Sequence, residues 1–251
     1  MRRLARAILS FGAALLAPLA ASALDCQNVV FRDNSYALCK VDMAQDDLRL
    51  FLYDKTGEPY GYFSAVNDAL ASDDQTLGFA MNGGMYHTDR APVGYYVEDG
   101  KQVRGVVPNA GPGNFGLLPN GILCFGKGHA EVIETLSFLD HPRDCRFATQ
   151  SGPMLVIDGQ LHPKFLPDST SYNIRNGVGT SDDGRSAVFV ISNNAVTFHD
   201  FAAFFRDGLG LNNALFLEGS VSRLYAPSLD RNDLGRQLGP IVGAVVPLTA
   251  N

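Results

Sequence analysis

Four short polar segments interrupt apolar runs of this chain, and their residue types can do chemistry. Asn82-Gly83-Gly84-Met85-Tyr86-His87 follows the apolar stretch 77–81, and its two glycines let the backbone turn sharply or approach a ligand. Thr149-Gln150-Ser151-Gly152-Pro153-Met154 is a polar break between two strand-like runs. Asn173-Ile174-Arg175-Asn176-Gly177-Val178-Gly179 sets an arginine at the mouth of a strand, and Glu218-Gly219-Ser220-Val221-Ser222-Arg223 ends the apolar run 214–217 on a carboxylate. A guanidinium offers a planar fork of donors that suits phosphate. A carboxylate beside an anomeric carbon serves as nucleophile, base or charge stabiliser. Each segment also has a plain structural use as a bulge, a turn, a solvated arginine or a salt bridge.

Other patterns carry less. Gly111-Pro112-Gly113-Asn114-Phe115-Gly116 matches G-x-G-x-x-G literally. A dinucleotide site needs a strand before it and a helix after it, whereas Leu117-Leu118-Pro119-Asn120-Gly121 reads as a strand running into a hairpin. The five histidines, His87, His129, His141, His162 and His199, form no ligand pair at metal-binding spacing, and there is no G-x-S-x-G elbow or P-loop. No cofactor or metal is therefore expected. Glu218 and Asn82 could share a divalent cation, but the chain has no dedicated oxygen-ligand loop. None of the four cysteines sits in a C-x-x-C pair, so zinc and thioredoxin-type chemistry lack support.

The elements that must position these residues are mostly strands. Tyr95-Tyr96-Val97-Glu98 runs through Asp99-Gly100 into Lys101-Gln102-Val103. The run 115–118 leads through Pro119-Asn120-Gly121 into 122–125, 154–157 turns at Asp158-Gly159, and 178–181 turns at Asp183-Gly184 into 187–191. Such dipeptides tolerate positive φ and fit two-residue hairpins, which marks Asp99, Asp158 and Asp183 as turn formers. A short helix is expected over 64–71. A clearer one starts at Asp200 as N-cap, with Phe201, Phe204, Phe205 and Leu209 on one face. With no internal repeat and no linker, the expectation is one α+β domain over 24–251, its mostly antiparallel or mixed sheets built from consecutive hairpins with a few helices.

The first 23 residues read as an export signal. Arg2, Arg3 and Arg6 precede an apolar stretch over 7–17, Pro18 breaks it, and Ala21-Ser22-Ala23 is a small-residue cleavage site. The competing reading is a membrane anchor, but the stretch is Ala-rich, carries Gly12 and Pro18, and lacks a basic stop-transfer flank. A periplasmic or secreted protein without stable membrane insertion follows. An even cysteine count fits that compartment. Of three connectivities, Cys26–Cys39 with Cys124–Cys145 is expected, because each pair clips neighbouring strands locally. Hydrophobic residues at 46% with charged residues at 18% exclude a disordered polyelectrolyte. Without residues 1–23, Lys and Arg fall from 20 to 17 against 26 acids, so the formal charge moves from -6 to -9. Such a body is a poor partner for nucleic acid or anionic lipid.

Taken together and in order, Asn-Gly-Gly with an aromatic and His87, then Ser151-Gly152-Pro153-Met154-Leu155-Val156, then Arg175-Asn176-Gly177-Val178-Gly179, then an apolar strand ending in acid-Gly-Ser, resemble the phosphodiester glycosidase (uncovering-enzyme-like) domain. The resemblance runs over about 48–246. It implies an α+β fold and, from the animal member, removal of N-acetylglucosamine from a sugar-phosphate diester. The motif positions fall on Asn82, Gly83, Gly84, Ser151, Gly152, Pro153, Arg175, Glu218, Gly219 and Ser220. Many members carry Asp-Gly-Gly-Gly-Ser where this chain has Glu218-Gly219-Ser220-Val221-Ser222, which moves the carboxylate by about an ångström.

The expected activity is hydrolysis of a sugar-1-phosphodiester in a surface glycan or related substrate, with a non-catalytic glycan-binding protein on the same fold as the alternative. Glu218 is the expected carboxylate and Arg175 the phosphate clamp, with Arg223 or Lys164 behind it. His87 is a candidate acid or base, and Asp89 a second carboxylate better explained as a solvated loop acid. Asn82, Gly83, Gly84, Gln150, Ser151, Gly152, Asn176, Gly219, Ser220 and Arg223 are the expected substrate contacts. The signal reading is checked by intact-mass measurement on protein from the native host: a mature chain beginning near Leu24 is expected, and retention of residues 1–23 refutes it.

Overall fold

The computed structural model describes residues 24–219 and 221–248. The expected signal segment and Ser220 lie outside the described residues. Three antiparallel sheets enclose a common core. The largest has seven strands in the order Asp25–Phe31, Asn34–Asp42, Ser186–Ser192, Asn176–Thr180, Asn213–Glu218, Met154–Ile157 and Gln160–Leu161. A second runs Arg231–Asn232, Leu224–Ala226, Gln75–Asn82, Ile241–Pro247 and Asp47–Phe51. The third runs Lys101–Arg104, Tyr96–Glu98, Phe147–Ser151, Gly121–Gly126 and His129–Glu134.

Strand alternation sends one face of each sheet inward. Leu50 and Phe79 from the second sheet, Phe125 and Phe147 from the third, and Val178, Phe189 and Leu217 from the first all join one buried cluster. The rings of Phe79 and Phe189 meet at 5.2 Å across it. Each outer face carries one short helix: Phe198–Ala203 against the first sheet, Phe63–Ala71 against the second, and Thr135–Asp140 beside Cys124–Cys145 on the third. Both disulfides are formed, Cys26 to Cys39 and Cys124 to Cys145. Among the described residues no helix is long and apolar enough to cross a membrane.

The α+β expectation is corrected in class and in connectivity. Strands make up 42% and helices 13%, so the architecture is β-rich, and every strand pairing is antiparallel rather than mixed. The sheets are not runs of consecutive hairpins. Asn34–Asp42 pairs with Ser186–Ser192, and Ile241–Pro247 inserts between strands from the first third of the chain. The local turns at Asp99-Gly100 and Asp158-Gly159 do form, all four residues at positive φ. The run 115–118 is no strand: it lies in an irregular loop, with Phe115 buried. The helix Phe198–Ala203 starts before Asp200 and is capped by Thr197, whose Oγ accepts from the Asp200 amide at 3.0 Å and donates to the Asp200 carboxylate at 2.8 Å. Asp200 thus closes a capping pair from inside the first turn.

One half-buried acid marks the seam between the second and third sheets. Burial raises the Glu98 pKa to about 7, and the Tyr96 hydroxyl, donating at 2.8 Å, only partly opposes it. The unfolded chain releases this proton near 4.5, so the folded state binds more protons between the two values. Stability must fall as pH rises through that window. Relative to the parent, Glu98→Gln should gain on the order of 2 kcal/mol in chemical denaturation between about pH 5 and pH 8. A difference that stays flat with pH sinks the assignment.

Candidate functional site: a sheet-to-sheet crossing between two clefts

Residues 218–223 carry the chain from the end of Asn213–Glu218 in the first sheet to the start of Leu224–Ala226 in the second. Two buried asparagines hold this crossing, one from each sheet. Asn176 Oδ1 accepts the Glu218 amide at 2.8 Å, and its Nδ2 donates to the Asn82 carbonyl at 3.3 Å. Asn82 Oδ1 accepts the Arg223 amide at 2.7 Å, and its Nδ2 donates to the Val221 carbonyl at 3.0 Å. Ser222 Oγ closes the crossing on the Glu218 carbonyl at 2.7 Å. The pairing shifts from Gly177 opposite Phe216 to Asn176 opposite Glu218, so Leu217 is an extra residue. Such a bulge re-aims the side chain that follows it. Gly83 is required next to Asn82, since a Cβ there would sit 2.9 Å from the backbone of Ile241 and Val242.

On one side of the crossing Glu218 lines a cleft of about 640 Å³ together with Met85, Tyr86, His87, Phe115 and the glycine-rich run 109–114. The Tyr86 hydroxyl donates to the Gln237 carbonyl at 3.1 Å. Burial raises its pKa, and the Glu218 charge adds to that, while Arg90, Arg223 and Arg236 pull it down. Carboxylate and arginines therefore act on one phenol. The facing wall is built by Gln150. Its Oε1 accepts from the Tyr95 and Val107 amides, both at 3.0 Å, and its Nε2 donates to the Val107 carbonyl at 2.7 Å. Asn120 Nδ2 fixes the other end of the wall through the Phe115 carbonyl at 3.0 Å.

On the other side, Gly219, Ser222, Arg223 and Arg236 line a second cleft of about 790 Å³. The crossing is thus a shared wall with a carboxylate facing one cleft and an arginine on the other.

A family model for phosphodiester glycosidase matches residues 75–242, which include the crossing, both asparagines and the glycine-rich wall. The chain belongs to the phosphodiester glycosidase family. It is 34% identical over 185 residues to the uncharacterized protein YigE of Escherichia coli (strain K12), covering 74% of this chain and 72% of YigE. Its fold is similar to the catalytic domain of zebrafish N-acetylglucosamine-1-phosphodiester alpha-N-acetylglucosaminidase, auto-inhibited by its pro-peptide. The TM-score is 0.59 at 13% identity, over 92% of this chain and 84% of that one. It is also similar to a hypothetical protein from Synechocystis, with a TM-score of 0.54 at 12% identity over 88% of this chain and 61% of that one.

Several motif positions of this family domain turn out to be scaffold. Arg175 is corrected as a phosphate clamp. Alternation along the strand puts Asn176 and Val178 on the inner face and Arg175, Gly177 and Gly179 on the outer. A Cβ on either glycine would press on Phe201 or Phe205 of the helix outside. Arg175 is 1% exposed and lies flat on Phe198, 3.6 Å from the ring centre. Its Nε donates to the Val196 carbonyl at 3.0 Å and its Nη2 to the Ser171 carbonyl at 2.9 Å. Burial lowers its pKa to about 10.

Asn82, Asn176, Gln150 and Ser151 are likewise corrected as direct substrate contacts. They are buried, and their polar atoms are spent on the backbone, Ser151 Oγ on the Leu217 carbonyl at 2.9 Å. Gly83, Gly84 and Gly152 are buried too. Gly219 and Arg223 do line a cleft, and His87 stands exposed at the mouth of the first. Asp89 caps a local turn on the Ala91 amide, and Lys164 is exposed on the loop after His162. Tyr86, Phe115, the run 109–114 and Arg236 were missed as cleft residues. The density of Gly, Pro and Asn over 108–116 was the available signal, since long loops held by a rigid scaffold carry function.

Arg175→Lys should therefore lower stability by about 1–3 kcal/mol, through loss of the stacked planar fork. Urea denaturation measures this. Full stability combined with lost substrate binding would return Arg175 to the site.

Proposed function

We propose that the protein is an exported hydrolase that cleaves the glycosidic bond of a sugar-1-phosphodiester, with residues 24–251 working as one unit. The observation that carries this reading is that the first cleft presents a single carboxylate, Glu218, among its described lining residues. An ordinary glycoside needs two, one of them to protonate a poor leaving group. A phosphate monoester leaves as an anion and takes the bonding electron pair without a proton. One carboxylate beside the anomeric carbon then suffices to stabilise the positive charge that develops there. Water supplies the new C–O bond, and its proton passes to solvent through His87 at the exposed mouth. Family membership supports the reaction class, and two disulfides suit an exported protein.

In this reading the sugar occupies the first cleft, with Phe115 and Met85 offering apolar surface to its ring and the wall 109–114 offering amides to its hydroxyls. Gln150, Asn82 and Asn176 are positioning residues that hold wall and carboxylate in register. Binding without turnover is the competing reading, and activity separates the two.

Purified protein is assayed against a panel of sugar-1-phosphodiesters. Glu218→Gln is nearly isosteric, so the fold should persist while turnover drops by at least ~100-fold. A Gln variant that turns over like the parent removes Glu218 from the chemistry. A parent that binds sugars saturably but cleaves none of the panel favours the binding reading.

A further inference from the structure

Four flat groups stack from the buried arginine to the base of the first cleft's wall. Arg175 lies 3.6 Å from the Phe198 ring centre, the Phe198 ring lies 4.9 Å from Phe165 at 7°, and the Phe165 ring lies 4.7 Å from His162 at 24°. His162 is 1% exposed and takes no part in the hydrolase chemistry above. Its Nδ1 accepts the Lys164 amide at 3.3 Å, so the neutral ring carries its hydrogen on Nε2. That nitrogen is sealed from solvent, and no described residue meets it in hydrogen-bonding geometry. The carbonyls of Leu118 and Leu117 nevertheless act on it and favour its proton, so the contact is electrostatic but poorly aligned.

These two carbonyls belong to the base of the wall. The Leu117 amide donates to the Asn114 carbonyl at 3.2 Å, and the Gly111 amide to the Gly116 carbonyl at 3.4 Å. Asn120 Nδ2 ties the Phe115 carbonyl, and the Met154 amide ties the Pro119 carbonyl at 2.9 Å. Leu117 and Leu118 lie between those ties, where His162 faces them. The charged groups on the hairpin, loop and helix around His162 are Asp158, Lys164, Asp168, Arg175, His199 and Asp200, and of these only Lys164 acts on the imidazole. Burial lowers the His162 pKa from about 6.5, the Leu118 carbonyl opposes, the Lys164 charge lowers it further, and the Leu117 carbonyl opposes again.

We propose that His162 is a proton-sensitive positioning residue: its neutral ring fastens the base of the 109–116 wall through Nε2–H, and a second proton on Nδ1 releases it. That proton would face the Lys164 N–H, donor against donor, in a place where water cannot solvate the new charge. Relief requires the 162–165 turn, closed by the Phe165 amide on the His162 carbonyl at 3.0 Å, to open and expose the ring. An exposed imidazole takes a proton more readily than a sealed one, so acid favours the open wall. That the wall contacts substrate rests on the hydrolase reading, but the fastening itself does not.

The test is backbone amide exchange on the mature chain, followed by nuclear magnetic resonance between about pH 5 and pH 8 and corrected for the intrinsic pH dependence of exchange. Opening at the Gly111, Leu117 and Lys164 amides should rise by up to about tenfold per pH unit below about pH 6.5. His162→Gln keeps a donor and an acceptor but does not titrate, so its opening should stay flat. Glu98 cannot produce the acid rise, because its proton stabilises the fold in acid. Opening that is flat in the parent overturns the proposal, as does an acid rise that His162→Gln retains. If the variant fails to fold, the ring nitrogen shifts of the parent decide: hydrogen on Nε2 is expected at neutral pH, and hydrogen on Nδ1 overturns the proposal. With a cleavable diester, KM should climb in acid for the parent and not for His162→Gln. Acid-linked opening without turnover of any diester would uphold the fastening while removing the hydrolase reading. Diester turnover with a wall that stays closed in acid would do the reverse.

Discussion

The hydrogen bond from Asn176 Nδ2 to the Asn82 carbonyl joins the first sheet to the second at the point where their strands separate. Everything chemically interesting hangs on that junction. Each asparagine spends its remaining side-chain atoms on the crossing, one on the amide of Glu218 and the other on the amide of Arg223. Leaving a buried amide or carbonyl unmatched costs about 1–3 kcal/mol. A chain segment tied at both ends in this way has little freedom to slide. The bulge at Leu217 and the close approach of Gly83 to Ile241 complete the constraint. The crossing thus places a carboxylate in the lining of one cleft and an arginine in the lining of the other, with both backbone positions fixed from the buried side.

The same logic explains why so many polar motif residues never reach a cleft. Three sheets meeting around one core leave strand ends with unpaired backbone groups, and buried backbone groups must find partners. Gln150 behaves as a substitute strand, offering donor and acceptor together to Val107. Ser151, Asn120 and Thr135 do similar work nearby, with Thr135 donating to Asn120 at 2.7 Å. Positions of this kind are constrained as tightly as a catalytic group, but through folding. Arg175 is the clearest case, because its charge is balanced by two carbonyls and an aromatic face rather than by a ligand.

Local features were legible in the sequence, and non-local ones were not. Asp99-Gly100 and Asp158-Gly159 are read correctly because a tight turn is decided by the φ its own residues tolerate. The helix near 64–71 is legible from composition alone, and it extends one residue earlier to Phe63. Sheet order was hidden, because pairing Asn34–Asp42 with Ser186–Ser192 depends on surfaces far apart in the chain. The run 115–118 misled for a related reason: its apolar character serves a loop that buries Phe115 rather than a strand. For the site, Glu218 and Arg223 stood out by charge at a strand end. The roles of Asn82 and Asn176 did not, since an amide side chain looks the same whether it meets a ligand or a backbone. Alternation from Val178 back to Arg175 was the clue that separates Arg175 from Asn176.

Charge sets the final constraint. The formal charge over residues 24–251 is -9, so at distances beyond about 10 Å an approaching anion meets a repulsive or screened field. The described lining residues of the second cleft include Arg223 and Arg236 and no acid, so the local sign there differs from that of the chain as a whole. Around the buried Arg223 the effective dielectric is lower than in water, and a close contact is correspondingly stronger. For the sugar-1-phosphodiester reading, the gain of an anionic substrate is then a matter of close contact with such groups, because the net charge of the chain offers it no long-range attraction.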